Sequence, residues 1–285
     1  MGFFTDAIED IVQEPWLIPS HPRREDFLYF RGSSKKSIST YRCVIASYWT
    51  FWVLLSILGS VGVPIPAPLF GVMDNDMDIK WLIFLTNWSM LLLGTYLWTA
   101  YAASRSLPPS IPPTPPSSPS HHRRRLYQTV WVLRNCTAVA ALVVSLLFWT
   151  ILFPEIKKTS WVDVHCHAIN SVIVLLDLTV THVPYYFKHG WMGLTYLVTY
   201  LLFSIVYWLS GGTDPEGDHY IYPPLNYKHP GEAAGLVVVV VVVVVPAVHT
   251  MLYVYNRWLR RTEYWHGPQV GSRITVRDRM PLLPN

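Results

Sequence analysis

The sequence predicts an all-α membrane protein, a polytopic bundle of about six transmembrane helices. Of its 285 residues, 51% are hydrophobic and only 14% are charged, whereas a soluble domain carries about a quarter charged residues. Trp and Tyr, which favour the interface between lipid and water, occur 13 and 17 times. Six stretches reach or approach the roughly 20 apolar residues that are needed to cross the hydrocarbon core.

The predicted spans follow one another in a single membrane domain, residues 41–256. The last span contains nine consecutive valines, Val237–Val245. We interpret this run as a lipid-facing helix, because backbone polar groups inside lipid must be satisfied, and we expect Pro246 to kink it. The six predicted spans are Tyr41–Val63, Trp81–Ala103, Thr129–Phe153, His167–Tyr186, Trp191–Ser210 and Ala233–Tyr255.

Three polar segments flank or interrupt this domain. They are an N-terminal segment (residues 1–40), a Pro- and Ser-rich loop (residues 106–125) and a basic tail (residues 257–285). Lys and Arg concentrate in them, so the positive-inside rule predicts that both termini and the loop are cytoplasmic. The first forty residues show no cleavable signal peptide. We expect a multi-pass protein of the endoplasmic reticulum or the plasma membrane.

The fourth span carries several polar side chains on one face. In "WVDVHCHAINSVIVLLDLTVTH" (Trp161–His182), polar residues recur at spacings of three and four, as they do along one side of a helix. Such groups are costly in lipid and are expected to face the bundle interior. Asp177 fits a functional role and a structural one equally, since polar residues often hydrogen-bond neighbouring helices. We assign Asp177 and His182 to the structural group.

A hydroxyl and an imidazole are expected at the same depth. Thr86 follows Trp81 by five residues and His167 follows Trp161 by six, which places both about 8–9 Å below one membrane surface. A Thr hydroxyl needs an adjacent base to act as a nucleophile, and a neutral imidazole can be that base. The pair predicts acyl transfer. Candidate supports for the oxyanion are Asn87, Asn170 and Ser171.

Three stretches carry a family resemblance: "WLIFLTNWSMLL" in the second span, Trp161–His182 in the fourth, and "YLLFSIVYWLSGGTDPEGDHYIYPPLNY" in the fifth span and the loop after it. They resemble the six-span membrane proteins that include the androgen-induced proteins and the rolling stone proteins. The histidine motif of the fourth span matches without gaps. The stretch that ends at Tyr227 is most similar to the rolling stone members.

The resemblance implies a membrane threonine hydrolase that cleaves fatty acid esters of hydroxy fatty acids. Carried over by position, Thr86 is the nucleophile and His167 is its partner, so a lipid ester would be the substrate and membrane lipids the surroundings. Rolling stone members are linked to cell fusion. The resemblance therefore also allows a non-enzymatic scaffold or cell-fusion protein.

A zinc-dependent hydrolase is a further alternative. The stretch "HCH" (His165–His167), with Asp177 and His182, contains ligand types that zinc accepts. On one helix these side chains are too widely spread to share an ion, so ligands from another span, such as His249, would be needed. We predict no metal ligand set and no cofactor. The sequence carries no dinucleotide, phosphate-loop or nucleic-acid motif, and no nucleic-acid partner is expected.

Overall fold

A computed structural model describes residues 8, 27, 30–31, 38–63, 65–66, 79–105, 121–156 and 159–266. Most of the predicted N-terminal segment (1–40), most of the Pro-rich loop (106–125) and the tail beyond residue 266 lie outside these ranges. Of the predicted membrane domain (41–256), most of the residues are described.

The described chain forms six long helices. Three of them contain or end in a single π-helical turn, in which backbone hydrogen bonds span five residues instead of four. Their bounds are α1, Ser39–Ser60; α2, Leu85–Arg105; α3, His121–Leu147 followed by the π turn Phe148–Leu152; α4, Trp161–Val164, the π turn His165–Ile169 and Asn170–Val180; α5, Gly190–Leu209; and α6, Pro230–Val239, the π turn Val240–Val244 and Val245–His266.

Five of these helices are long and apolar enough to cross a membrane. The exception is α2, whose first turns contain Thr86, Asn87 and Ser89. It packs against both α1 and α3, so neighbouring helices shield its polar groups from lipid. The predicted fold class, an all-α polytopic membrane bundle, is confirmed.

The fourth helix starts and ends earlier than predicted. It begins at Trp161 because Ser160 and Asp163 form a reciprocal capping box, in which each side chain binds the other's backbone N–H. It ends at Val180, and Thr181 is extended, with a bridge to Phe30. The prediction of a span over His167–Tyr186 therefore placed both ends several residues too far along the chain.

The core lies between α2, α3 and their neighbours. Trp49, Trp131 and Tyr96 are almost fully buried there. The helices α3 and α5 approach closely at Gly193, where a Cβ atom would lie only 2.7 Å from Val139, a small-residue contact that membrane bundles favour. Much of the bundle exterior is apolar, as expected for helices that face lipid.

The valine run faces mainly outward. Val238, Val239, Val242 and Val243 are exposed, whereas Val245 is buried. The π turn Val240–Val244 ends just before Pro246, which has no N–H to donate to the preceding turn. A π-helical turn thus precedes the proline, and the kink expected at Pro246 stays a prediction.

Candidate active site

The three π-helical turns of the described chain line one cavity. Phe148, Ile151 and Leu152 come from the first turn, His167 from the second, and Val240 and Val241 from the third. Single π turns inside α-helices are frequently found at functional sites. The other lining residues come from α2, α3, α5, α6 and the loop after α5: Leu85, Thr86, Val143, Val144, Leu147, Leu197, Tyr200, Leu201, Tyr222, Pro224, Leu225, Leu236 and Val237.

The cavity holds about 860 Å³ of empty space, counted with its open mouth. Its walls are almost entirely apolar, and among the described residues only Thr86, His167, Tyr200 and Tyr222 bring polar side chains to the lining. A largely apolar cleft with a few convergent polar groups is typical of a small-molecule or lipid site. The two residues that the sequence paired, Thr86 and His167, are therefore brought to the same cavity.

His167 is held by stacking. Its ring lies parallel to that of Phe148, with centroids 3.6 Å apart and planes within 1°. The side chain is 7% exposed, and its Nδ1 atom has no hydrogen-bond partner in the described part of the chain. Trp149 donates from Nε1 to the His167 carbonyl at 2.7 Å. An aromatic face, instead of a carboxylate, thus orients this imidazole.

Thr86 is the second residue of α2, close to the start of the helix. Its side chain and that of Tyr200 lie beside the Tyr222 hydroxyl, which accepts the backbone N–H of Leu85 at 3.0 Å. Among the hydrogen bonds of the described residues, none joins Thr86 to His167. The two side chains face a common space instead.

The sequence did not single out either tyrosine of the cavity. Tyr200 lies in α5 and donates its hydroxyl to the carbonyl of Ile83 at 2.8 Å. Tyr222 belongs to the loop between α5 and α6, and burial raises the pKa of its phenol, so that the hydroxyl stays neutral. A signal was present, since Tyr222 lies within the stretch that resembles rolling stone proteins, but nothing in its spacing pointed to α2.

The predicted oxyanion supports lie outside the cavity lining. Asn87 donates its side-chain amide to the carbonyl of Trp81 at 2.6 Å. The amide oxygen of Asn170 accepts hydrogen bonds from Ser145 and from the backbone of Ser171. The Ser171 hydroxyl in turn donates to the carbonyl of Ala141 at 3.0 Å. Asn170 and Ser171 thus join α4 to α3.

Asp177 belongs to a buried charged network near the opposite end of α4 from His167. One carboxylate oxygen lies 3.6 Å from Nε of Arg134 and accepts the hydroxyl of Tyr96. Arg134 also donates to Thr181 and to the carbonyl of Val183, which lie just after α4. A lone arginine inside the third predicted span was a sequence signal that could have found this network.

Arg42 is a second buried arginine. It lies at the start of the first predicted span, is fully buried and donates to the carbonyls of Phe27 and Ala100. Its Nε and Nη2 atoms have no hydrogen-bond partner among the described residues.

The other histidines considered as zinc ligands, His165, His182 and His249, each have their own contacts. His165 stacks on Trp52 at 3.4 Å and bonds with the hydroxyl of Tyr48, while His249 bonds with Tyr185. His182 lies just after the end of α4 and is partly buried. Within the described ranges, no three His, Cys, Asp or Glu side chains are close enough to hold a metal ion.

Comparison with known proteins assigns the chain to a family. A family model described as Protein rolling stone matches residues 24–266. The chain belongs to the rolling stone family. It is 28% identical over 163 residues to Protein rolling stone of Drosophila melanogaster, a match that covers 54% of the chain and 58% of that relative. The chain therefore spans less than two thirds of the relative's length. No solved structure matches it.

Family membership confirms the predicted resemblance to the group of rolling stone and androgen-induced proteins. Together with the long apolar helices, it makes this rolling stone family member a multi-pass membrane protein. The matched region includes all six helices and the loop that carries Tyr222, so both the cavity and the charged network lie within the family's own part of the chain.

Proposed function

We propose that this member of the rolling stone family is a membrane hydrolase of lipid esters, with Thr86 as the nucleophile and His167 as its base. One observation supports the proposal above all. A hydroxyl and an imidazole line the same apolar cavity, and they are two of only four polar side chains that the described residues bring to it. A long acyl chain requires apolar walls, while its ester requires a nucleophile and a base.

In the proposed reaction, the Thr86 oxygen attacks the ester carbonyl carbon while His167 takes the hydroxyl proton. The tetrahedral intermediate collapses, the bond to the alcohol breaks, and His167 returns the proton to the departing alkoxide. A water molecule then attacks the acyl–threonine ester by the same route, which releases the fatty acid. His167 acts without a carboxylate partner, because its Nδ1 has none among the described residues and its ring is held by Phe148.

The rival function is a non-enzymatic scaffold or cell-fusion protein. It is favoured by a contrast between two sets of polar residues. No hydrogen bond joins Thr86 to His167 within the described chain. The network of Asp177, Arg134 and Tyr96, in contrast, connects three helices. A scaffold would need that network and would have no use for a hydroxyl and an imidazole in one cavity.

Hydrolysis of a fatty acid ester of a hydroxy fatty acid by the purified full-length protein tests the proposal. Thr86→Ala and His167→Ala are expected to lose turnover to a similar degree, because a nucleophile and its base act as a unit. Thr95→Ala is the matched control, since Thr95 lies on the same helix, is exposed and donates to the Leu91 carbonyl of that helix. Thr86→Ala with wild-type turnover would overturn the threonine mechanism.

A fluorophosphonate probe separates enzyme from scaffold without knowledge of the substrate. Labelling of the wild type that disappears in Thr86→Ala and persists in Thr95→Ala is expected for a nucleophile. Labelling that is absent from all three proteins, together with no ester hydrolysis, favours the scaffold.

We also propose that both termini are cytoplasmic and that the loop after α5 lies on the opposite side. The distribution of Lys and Arg supports this orientation. A glycosylation site inserted at Gly217, in a turn with positive φ, is expected to be modified. One inserted between residues 106 and 120 is expected to stay unmodified, and the reverse pattern would invert the topology.

A further inference from the structure

The loop between α5 and α6 is tied to the bundle at several points. Lys80, just before α2, donates to the Asp214 carbonyl at 2.7 Å and to the Thr213 hydroxyl at 3.0 Å. Near the loop's other end, the Tyr227 hydroxyl lies 2.7 Å from that of Ser204. These contacts hold the residues between them, including Tyr222, against the cavity that they line.

Tyr222 is the loop residue whose polar end reaches the proposed nucleophile. Its hydroxyl oxygen accepts the N–H of Leu85 at 3.0 Å and lies beside the Thr86 side chain. The ring packs edge-on against Phe84, with centroids 5.8 Å apart. A residue 137 positions away in the sequence is thus hydrogen-bonded to the first residue of α2.

The Tyr222 hydroxyl has a proton to donate. Its oxygen accepts the N–H of Leu85, and its O–H has only the neighbouring hydroxyls of Thr86 and Tyr200 as acceptors among its named partners, from which an oxyanion, the stronger acceptor, takes it. The neighbouring Tyr200 has committed its proton to the carbonyl of Ile83. The predicted supports Asn87 and Ser171 donate to carbonyls outside the cavity. Tyr222 is therefore the hydroxyl beside Thr86 that donates to no carbonyl among the hydrogen bonds of the described residues.

We propose that Tyr222 supplies the oxyanion hydrogen bond of the reaction. This inference rests on the proposed function. When the Thr86 oxygen bonds to the carbonyl carbon and His167 holds the proton, the carbonyl π electrons move onto oxygen, and that oxyanion accepts the Tyr222 O–H. Collapse of the intermediate restores the C=O bond and expels the alkoxide, which takes its proton from His167. Tyr222 gives up no proton in the cycle and therefore stays a phenol throughout.

Tyr222→Phe tests the proposal, with Tyr220→Phe as the matched control, because the Tyr220 hydroxyl donates to Asp218 within the same loop. The substrate is the palmitoyl ester of a hydroxystearic acid, and the full-length protein is measured in lipid nanodiscs. Loss of one oxyanion donor is expected to lower kcat about 100- to 1,000-fold with KM unchanged. The lost hydrogen bond to Leu85 lowers Tm under either role, so Tm does not decide between them. Tyr220→Phe is expected to keep wild-type kcat. A purely structural role would instead raise KM and leave kcat close to that of the wild type.

The outcomes distinguish the two proposals. If Thr86→Ala is inactive and Tyr222→Phe matches the wild type, the oxyanion role is overturned while the hydrolase stands. If the wild type hydrolyses no ester, or Thr86→Ala retains full turnover, both are overturned.

A ring-fluorinated tyrosine at position 222 decides the matter if Tyr222→Phe does not fold. Fluorine lowers the intrinsic pKa of the phenol and barely changes its shape. Because burial raises the pKa of this phenol, the fluorinated hydroxyl also stays protonated, and what changes is its strength as a donor. A more acidic phenol donates a stronger hydrogen bond to an oxyanion, so kcat is expected to rise. An unchanged kcat would overturn the oxyanion role.

Discussion

Two regions of this bundle treat their polar residues in opposite ways. In the arginine region, the buried Asp177 carboxylate accepts the Tyr96 hydroxyl and forms an ion pair with Arg134 at 3.6 Å. In the cavity region, Thr86 and His167 face shared empty space and are not hydrogen-bonded to each other. Buried polar groups in a membrane are normally paired. The contrast teaches that the groups facing the cavity are the better candidates for chemistry and the groups paired in the interior for stability.

The arginine region and the cavity region also differ in their backbone structure. The arginine region is built from regular α-helix and the chain just after α4, to which Arg134 donates its hydrogen bonds. The cavity region contains all three π-helical turns of the described residues. A π turn interrupts the regular hydrogen bonding of a helix, and such turns are found often where they serve function.

The largest expected effect is chemical and confined to the cavity region. Thr86→Val keeps the side-chain shape but removes the hydroxyl, and we expect kcat to fall by at least about a thousandfold. Thr86→Ser keeps the hydroxyl and should retain measurable turnover. Both variants should unfold at the wild-type temperature in thermal melts. A fall in Tm that matches the loss of activity would instead assign Thr86 to the stability of the fold.

The next effect is on stability and belongs to the arginine region. Asp177→Ala leaves Arg134 buried without its carboxylate, which is expected to cost about 3–5 kcal/mol. Thermal unfolding and the yield of monodisperse protein measure the loss. The double variant Arg134→Met/Asp177→Leu is expected to recover much of it, because both charges are gone. Equal damage from the single and double variants would show that the ion pair is not the cause.

A smaller effect is expected where packing supports chemistry. Phe148→Leu removes the ring on which His167 stacks. Aromatic stacking contributes about 0.5–1.5 kcal/mol, so the variant should lower kcat by up to about tenfold while the nucleophile remains reactive towards the phosphonate probe. Phe51→Leu is the control, since Phe51 is exposed on α1. Unchanged turnover in Phe148→Leu would remove stacking as the means of orienting the base.

The smallest effect is expected in the valine run. Val238→Leu lies on the exposed face and should change stability by less than about 0.5 kcal/mol. Val241→Phe fills part of the cavity and should shift hydrolysis towards shorter acyl chains without loss of fold. Kinetics with a series of ester chain lengths compares the two. The same chain-length preference in both variants would show that α6 does not bound the acyl site.

Much of the fold could be predicted because lipid imposes a simple requirement. Spans must be apolar and about 20 residues long, so hydropathy along the chain indicated the six helices. Their ends were less predictable. The capping box at Ser160 and Asp163 set the start of α4, and the backbone's turn to extended structure at Thr181 set its end. Both ends depend on a few local hydrogen bonds, which the mean hydropathy of a segment does not reveal.

The sequence by itself determined that this chain is a helical membrane protein, and it predicted that Thr86 and His167 lie at one depth, because hydropathy and helix rise are local properties of the chain. Only the tertiary structure decided that Tyr222 reaches the start of α2, that Arg134 pairs with Asp177, and that three π turns surround one cavity. Each of these depends on how helices distant in sequence pack together, and packing depends on the shapes of all the side chains at once.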